Sequence, residues 1–440
     1  MKNSILNIFN KLFLGILFLG MISCEDDLDI YSESAISPEQ INEENIQFFL
    51  NGLYETSTYI RDNYVFNDIR GGNYTWTALS GNNSSYGLLI TGNGVDDSNS
   101  FSSSIWQFGF KNIYNSNVLI DAAQRLDKKE IEAEGRFFRA FMYYQLVTVF
   151  GGVPIMEENT VENIARNEAA EVWQFILNDL DFAIANGREF QATGNGRASI
   201  QMAKALKARV LLALDQKENA GNLAVEIINE TGLVIDPEYD RIFRATNEST
   251  EILFAFKNLQ TETNVRMSSL FWPYGTAWAG SYFVQPSDDV LNSVYEENDI
   301  RREVNIQTIV NSDGSSNTIV SKYWDVQPLI VSRISEIYLI AAEGKGLTQE
   351  GLNYLNELRA QRNVPTYELS DFTGQEDFLN AVLMERQREL YSEGFLFYDL
   401  VRTNKAIELP NIANTDQYLM PIPGSQINLS NNVLTQNPGY

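Results

Sequence analysis

Histidine is absent from all 440 residues, and cysteine occurs once, at Cys24. Histidine is the commonest general acid-base and metal-ligand side chain, so its absence removes Ser-His-Asp and Cys-His triads, zinc sites and most hydrolytic metal chemistry. A single thiol excludes intrachain disulfides and thiolate metal clusters. Basic charge is also scarce: 32 Lys and Arg face 58 Asp and Glu, for a net charge of −26. Binding to phosphate backbones or anionic headgroups rests on Lys and Arg, so nucleic acid is excluded as a partner and a membrane could be held only through lipid. No phosphate-cradling Gly-Lys-Ser loop and no EF-hand loop occurs. No cofactor, metal or catalytic residue is expected, and an all-oxygen calcium site is the one metal chemistry the composition leaves open. Apolar residues are plentiful, at 44% with 12% aromatic. That is ample for a large core in one extended domain or two to three compact ones.

The N-terminus reads as a lipoprotein address. Lys2 and Lys11 precede the apolar run Leu12 to Ile22, followed by Ser23-Cys24 and Glu25-Asp26-Asp27-Leu28-Asp29. The run is too short to span a bilayer but suits a secretory h-region, and a small residue before the cysteine suits cleavage and lipid attachment there. Residues 1–23 are therefore read as a signal peptide and Cys24 as the lipidated residue; a transmembrane anchor or a buried thiol is the bland alternative. One acyl chain holds a protein only marginally, so a diacylglyceryl group plus an N-acyl chain such as palmitate would make the anchor durable.

Helical periodicity dominates the rest. Phe137, Ala140, Phe141, Tyr144 and Val147 form one stripe within Glu132 to Phe150, which Gly151-Gly152-Val153-Pro154 ends. Val172, Phe175, Ile176, Leu180 and Ala183 repeat the period, and Ala203 to Leu211 forms a small-residue helix that lets a neighbour approach closely. Further helices are predicted near 220–230, 333–343, 350–361 and 375–392. The pattern predicts an all-α fold of stacked, tetratricopeptide-like helical hairpins, although no clean 34-residue period is present. Val304 to Val320, with Asp313-Gly314 between β-prone runs, predicts a small β-hairpin. Trp106, Trp173 and Tyr144 fall on helical stripes and are assigned to the core.

Two stretches break the helical pattern. Gly71 to Ser104 is crowded with Gly, Asn and Ser, carries only Asp96 and Asp97 as charges, and includes Tyr74, Trp76 and Tyr86. Met267 to Pro286 has no charged residue but holds Phe271, Trp272, Tyr274, Trp278, Tyr282 and Phe283. Both are read as irregular insertions. Sugars present C–H faces that stack on aromatic rings and hydroxyls that need amide or carboxylate partners, so this composition suits a glycan surface. The ligand-binding residues expected are Trp76 and Trp278 first, then Trp272, Tyr274, Tyr282 and Tyr74, with Trp324 beside a predicted strand. For each ring, core packing is the competing reading. The low charge leans toward a neutral glycan such as an α-glucan, fructan or β-glucan.

Glu385, Glu389 and Glu393 stand at helical i, i+4 spacing and could pass for paired catalytic carboxylates. Arg386 and Arg388 on the same helix, with Asp399 and Arg402 soon after, favour a structural ion-pair network.

Several segments resemble the SusD/RagB family of outer-membrane glycan-binding lipoproteins. They are Cys24-Glu25-Asp26-Asp27, Asn51-Gly52-Leu53-Tyr54, Trp106 through Asn115-Ser116-Asn117, and Glu134-Gly135-Arg136-Phe137-Phe138-Arg139-Ala140 leading to Phe150-Gly151-Gly152-Val153-Pro154. Ala203 to Val210, Arg333 to Leu339 with Ala341-Ala342-Glu343, Glu385-Arg386-Gln387-Arg388-Glu389-Leu390, Glu393-Gly394, Asp399 to Arg402, Pro421-Ile422-Pro423 and Gln436-Asn437-Pro438-Gly439-Tyr440 continue the match. Gly135 departs from the alanine more usual there. The resemblance implies one domain over 24–440, four degenerate tetratricopeptide-like units in a right-handed superhelix, and glycan-binding insertions near 62–110 and 260–330. It also implies a place on the outer membrane facing the cell exterior and a SusC-like TonB-dependent transporter as partner. A non-catalytic glycan receptor is thus the leading expectation; an all-helical carboxylate glycoside hydrolase and a helical-repeat scaffold that binds protein are the alternatives.

Overall fold

The long stretches of helical period become helices in a computed structural model that describes residues 37–440 except 59, 60, 79, 80, 82, 83, 193–195, 262, 263, 277, 279 and 312. Cys24 and the stretch 1–23 expected to be a signal peptide lie outside the described residues. Residues 37–45 belong to a separate unit and contain one 3-10 turn, Pro38–Gln40, in which the Ser37 N–H donates to Gln40 Oε1 at 3.0 Å.

The main body begins at Ile46. Its longer helices are α1 Ile46–Thr56, α2 Arg61–Arg70, α3 Ser85–Thr91, α4 Ser100–Arg125, α5 Lys129–Phe150, α6 Ala169–Asn186, α7 Ile200–Ala213, α8 Lys217–Thr231, α9 Ile334–Lys345, α10 Gln349–Gln361, α11 Gln375–Glu389 and α12 Leu396–Arg402. Successive helices pack on one another from α4 to α8, and α9 joins α8 to α10. The all-α expectation holds. The four-unit count and the hand of the superhelix stay with the resemblance. The α5 stripe is buried as its period requires, with Phe137 6.1 Å from Phe254 and Phe138 6.1 Å from Phe256 between ring centroids. Each such ring taken out of water contributes about 1.5–3 kcal/mol. Buried bidentate pairs fix neighbouring helices: Arg139 on α5 to Asp179 on α6, and Arg209 on α7 to Glu336 on α9.

Three antiparallel pairs complete the described structure. Strand β1 Tyr74–Trp76 pairs with β3 Val284–Pro286, and β2 Ile252–Phe256 pairs with β6 Leu329–Arg333. Strands β4 Ile306–Val310 and β5 Ser316–Val320 form the expected hairpin, with Ile306 opposite Val320. The stretch 71–104 is less irregular than its composition suggests, since it contains β1, α3 and the start of α4. Its Ser and Asn act as helix caps: Asn99 Oδ1 accepts the Phe101 N–H at 2.9 Å and Ser84 Oγ accepts the Gly87 N–H at 3.0 Å.

Candidate functional site

Strand pairing brings the two insertions together. Trp76 sits opposite Val284, and beyond the strand the rings of Tyr86 and Phe283 stack with centroids 5.1 Å apart. Arg61 on α2 spans both segments, donating to Ser269 Oγ at 2.7 Å and to the Tyr86 hydroxyl at 3.1 Å. Alternate residues of a strand share a face, so Tyr74 and Trp76 point the same way. β1 runs outward from the core, which leaves Tyr74 1% exposed against Phe271 and Tyr391 while Trp76 is half-buried.

The tryptophans converge farther along. Trp278 and Trp324 meet edge to face, with centroids 5.6 Å apart and planes at 62°. The Arg244 guanidinium stands 4.4 Å from the Trp324 ring centre and donates to the Ser321 carbonyl at 3.3 Å. Burial lowers the Arg244 pKa, against the raising influence of Asp240. Trp272 donates its indole N–H to the Tyr323 carbonyl at 2.7 Å, which ties the 272–280 loop to the segment bearing Trp324. Tyr274, at the loop tip, is 91% exposed. The base of the loop is clamped by Ser281 N–H to Ser269 O at 2.6 Å and Phe283 N–H to Leu270 O at 2.9 Å. Gly280 makes the crossing possible, because a Cβ there would lie 2.3 Å from Ser269 O.

Two sequence assignments are corrected. Tyr74 and Tyr282 are buried and offer no ring to a ligand. The Tyr74 hydroxyl meets Ser392 Oγ. The Tyr282 hydroxyl donates to Gln285 Oε1 at 2.8 Å or Thr318 O at 3.0 Å, its backbone takes φ +47°, and burial pushes its pKa up to about 12. Both phenols satisfy inward hydrogen bonds, which ring-rich composition does not reveal. Trp106 is buried as expected, whereas Trp173 and Tyr144 are only partly buried.

Beneath the tryptophans lies a buried ionic layer. Lys322 donates to Glu393 at 2.7 Å and to the Tyr391 carbonyl at 2.6 Å, and the Tyr323 hydroxyl donates to the Ser392 carbonyl at 3.0 Å. Burial pushes the Lys322 pKa down to about 8 despite Glu393. Glu389 meets Arg301 at 3.0 Å, Arg333 at 2.5 Å and Arg362 at 2.8 Å; Glu385 meets Arg301, Arg359 and Arg388 at 2.7, 2.6 and 3.2 Å. Burial alone would raise these carboxyl pKa values, but the surrounding arginines hold both below the ordinary range. The network reading of the three glutamates therefore stands, with more distant partners than the sequence suggested. Arg386 and Arg402 instead share Asp399, each at 2.8 Å, and Arg402 also pairs with Glu343 at 2.6 Å. Helix α11 stops at Glu389, short of the expected 392, so Glu393 belongs to a turn in which Ser392 and Gly394 take φ +65° and +83°.

Asp68 on α2 closes that turn, accepting N–H groups from Ser392 at 3.1 Å and Gly394 at 2.5 Å and the Asn73 amide at 2.6 Å. Burial raises its pKa to about 7, against the lowering effect of those hydrogen bonds and of Lys322. A carboxyl that binds its proton more tightly when folded contributes most stability below about pH 4, and loses that contribution as pH rises through about 7. Asp68→Asn is therefore expected to remove a fall in stability between about pH 4 and 7. Urea unfolding of both proteins across that window checks it; parallel pH profiles would contradict it.

A family model described as the SusD family matches residues 177–413, more than half of the chain. The chain belongs to the SusD family. A second model, described as starch-binding and associating with the outer membrane, matches residues 26–212. SusD-like protein P38 of Formosa agariphila is 24% identical over 504 aligned positions, covering 97% of this chain and 98% of the relative. SusD-like protein P2 of the same organism is 24% identical over 420 positions, covering 79% and 82%. Among solved structures, a laminarin-binding SusD-like protein matches with a TM-score of 0.78 at 21% identity, covering 91% of this chain and all of that one. Surface glycan-binding protein A from Bacteroides thetaiotaomicron, in complex with laminarihexaose, matches with a TM-score of 0.76 at 19% identity, covering 90% and 99%. At these identities the structural likeness is one of fold.

Proposed function

We propose that this SusD-family protein is a non-catalytic surface receptor that binds a polysaccharide or oligosaccharide by aromatic stacking and delivers it to a SusC-like TonB-dependent transporter. The observation that carries the reading is the edge-to-face pair Trp278–Trp324, on whose loop Tyr274 is exposed. Arg244 occupies one face of Trp324, which makes that ring the buttress and Trp278 the ring offered to a sugar. Trp272 locks the loop and Trp76 extends the surface from β1. A neutral glycan is favoured, since both insertions are nearly free of charge and the nearby Arg244 is committed to Trp324 and Ser321. The laminarin and laminarihexaose named for similar folds support the same class.

The hydrolase alternative needs two free carboxyls flanking a cleft at about 5–9.5 Å. Glu385, Glu389 and Glu393 are instead buried and each matched by two or more bases. Incubating purified protein with α-glucan, fructan and β-glucan separates the readings: calorimetric binding without new reducing ends is expected. Sugar release would revive the hydrolase, and indifference to every glycan would favour a protein-binding scaffold.

In this reading residues 1–23 are a leader, 24–440 one domain, and Cys24 carries the lipid that holds the protein on the outer membrane, facing outward. The outer-membrane association in the second family description supports this. No helix among the described residues is long and apolar enough to cross a membrane. Cys24→Ala should leave the protein folded and release it from washed membranes, because acyl chains supply the attachment; retention would refute it. Glycan affinity should also survive EDTA. Loss of binding restored by calcium would instead establish an oxygen-ligand metal site.

A further inference from the structure

Four Asn-Gly dipeptides occur in the chain, at 51–52, 93–94, 186–187 and 195–196, and the first three fall wholly among the described residues. The glycine matters because it leaves its peptide nitrogen unshielded and the backbone free to bring that nitrogen to the asparagine side-chain carbon. Two of the three are held against such an approach. Gly52 lies inside α1, where its N–H belongs to the helix ladder, and Asn51 Oδ1 accepts from Gln47 at 3.1 Å and Arg197 at 3.3 Å. At the end of α6 the Gly187 N–H donates to the Ala183 carbonyl at 2.9 Å, and Asn186 Nδ2 donates to the Phe182 carbonyl at 3.0 Å. Asn93 and Gly94 differ. Both are exposed in the loop that joins α3 to α4, past the C-cap Gly92, and Gly94 takes φ +74°. Among the described residues neither the Asn93 side chain nor the Gly94 N–H is held by another group.

We infer that Asn93 is a modification site, at which the Gly94 peptide nitrogen attacks Asn93 Cγ and the side-chain amide is lost as the folded protein ages. The N–Cγ bond forms and the Cγ–Nδ2 bond breaks, the Gly94 N–H proton leaves with the amide as ammonia, and a five-membered succinimide remains. Water then opens the imide at either carbonyl, giving an aspartate or an isoaspartate that carries the chain through its side-chain carbon. Either product adds one negative charge to a chain already at −26, in the loop that holds Asp96 and Asp97. The iso product also lengthens the main chain by one carbon between two packed points. One is Gly92, seated so closely that a Cβ there would lie 2.0 Å from the Asn411 carbonyl oxygen; the other is Asp97, whose carbonyl accepts the Gly424 N–H at 2.9 Å.

Peptide mapping by mass spectrometry, on folded full-length protein held in warm, mildly alkaline buffer, tests this. The readout is the mass gain of NH2 replaced by OH at each asparagine, together with the chromatographic split between the aspartate and isoaspartate peptides. Held sites react only through local opening, so conversion at Asn93 on the order of tenfold or more faster than at Asn51 and Asn186 is expected. The same protein unfolded in urea should lose that ranking and convert all three at similar rates. Asn93→Gln, whose longer side chain disfavours the five-membered ring, should keep the fold and lose the modified 93–94 peptide. Equal rates at the three sites in the folded protein, or an intact Asn93 where Asn51 or Asn186 has converted, would overturn the assignment. A ranking that persists unchanged in urea would also overturn it, because local sequence and not the fold would then set the rates.

Discussion

Trp278→Ala is expected to weaken glycan binding about five- to tenfold while the melting temperature stays within a few degrees of wild type. A sugar face stacked on an indole is worth on the order of 1–1.5 kcal/mol, and 1.4 kcal/mol is a factor of ten in affinity. The ring is half-buried on a loop, so truncating it opens no core cavity. Trp324→Ala should lose comparable affinity with a larger fall in melting temperature, because it also strips the support of Trp278 and the ring beneath Arg244. Tyr282→Ala supplies the contrast. Its side chain is buried and hydrogen-bonded to β5, so the main loss should be fold stability, about 3–5 kcal/mol on the scale of large aromatic truncations. Calorimetry and thermal unfolding on the same samples separate the cases. Wild-type affinity in Trp278→Ala would place the binding surface elsewhere, and a fall of many degrees would make that ring structural.

The largest stability effect is expected at Glu389. It is fully buried and meets three arginines, two of which also pair with Glu251. Removing one partner of a buried pair leaves uncompensated charge in a poor solvent and costs about 3–5 kcal/mol, a large part of a domain's total stability. Glu389→Ala should therefore unfold at much lower urea or fail to accumulate as folded protein. The surface pair of half-buried Lys207 and exposed Asp181 is the control, where Asp181→Ala should shift stability by no more than about 1 kcal/mol. Equal unfolding midpoints for Glu389→Ala and wild type would contradict the network's role. The effect should extend to binding, since Lys322 and Tyr323 rest on the same layer and set the position of Trp324 and Trp272.

Helices such as α5 and α9 were legible because period, glycine stops and small residues agree with the final packing. The β4–β5 hairpin was legible from Asp313-Gly314 for the same local reason. Capping misled in 71–104, where the serines and asparagines that suggest a loop start two helices. In the candidate site, sequence identified the ring-rich segments but not which rings face inward. Tyr74 and Tyr282 differ from Trp76 and Trp278 only through long-range partners, Ser392 and Thr318, hundreds or tens of residues away. Arg244 and Lys322 left no local signal. Each is an isolated base whose importance comes from meeting Trp324 or Glu393 across the fold. The glutamates at 385, 389 and 393 suggested a network through nearby arginines, but most of the pairing comes from Arg301, Arg333, Arg359 and Arg362, which no spacing rule connects to them.

The most direct test of the central claim is affinity electrophoresis of the purified protein through gels containing α-glucan, fructan, β-glucan or a uronate polymer, with Trp278→Ala run beside it. Retardation of the wild type by at least one neutral glycan, weakened in Trp278→Ala and absent with the uronate polymer, is the predicted result. Unaltered migration of the wild type in every gel, or equal retardation of both proteins, would contradict a glycan receptor built on these tryptophans.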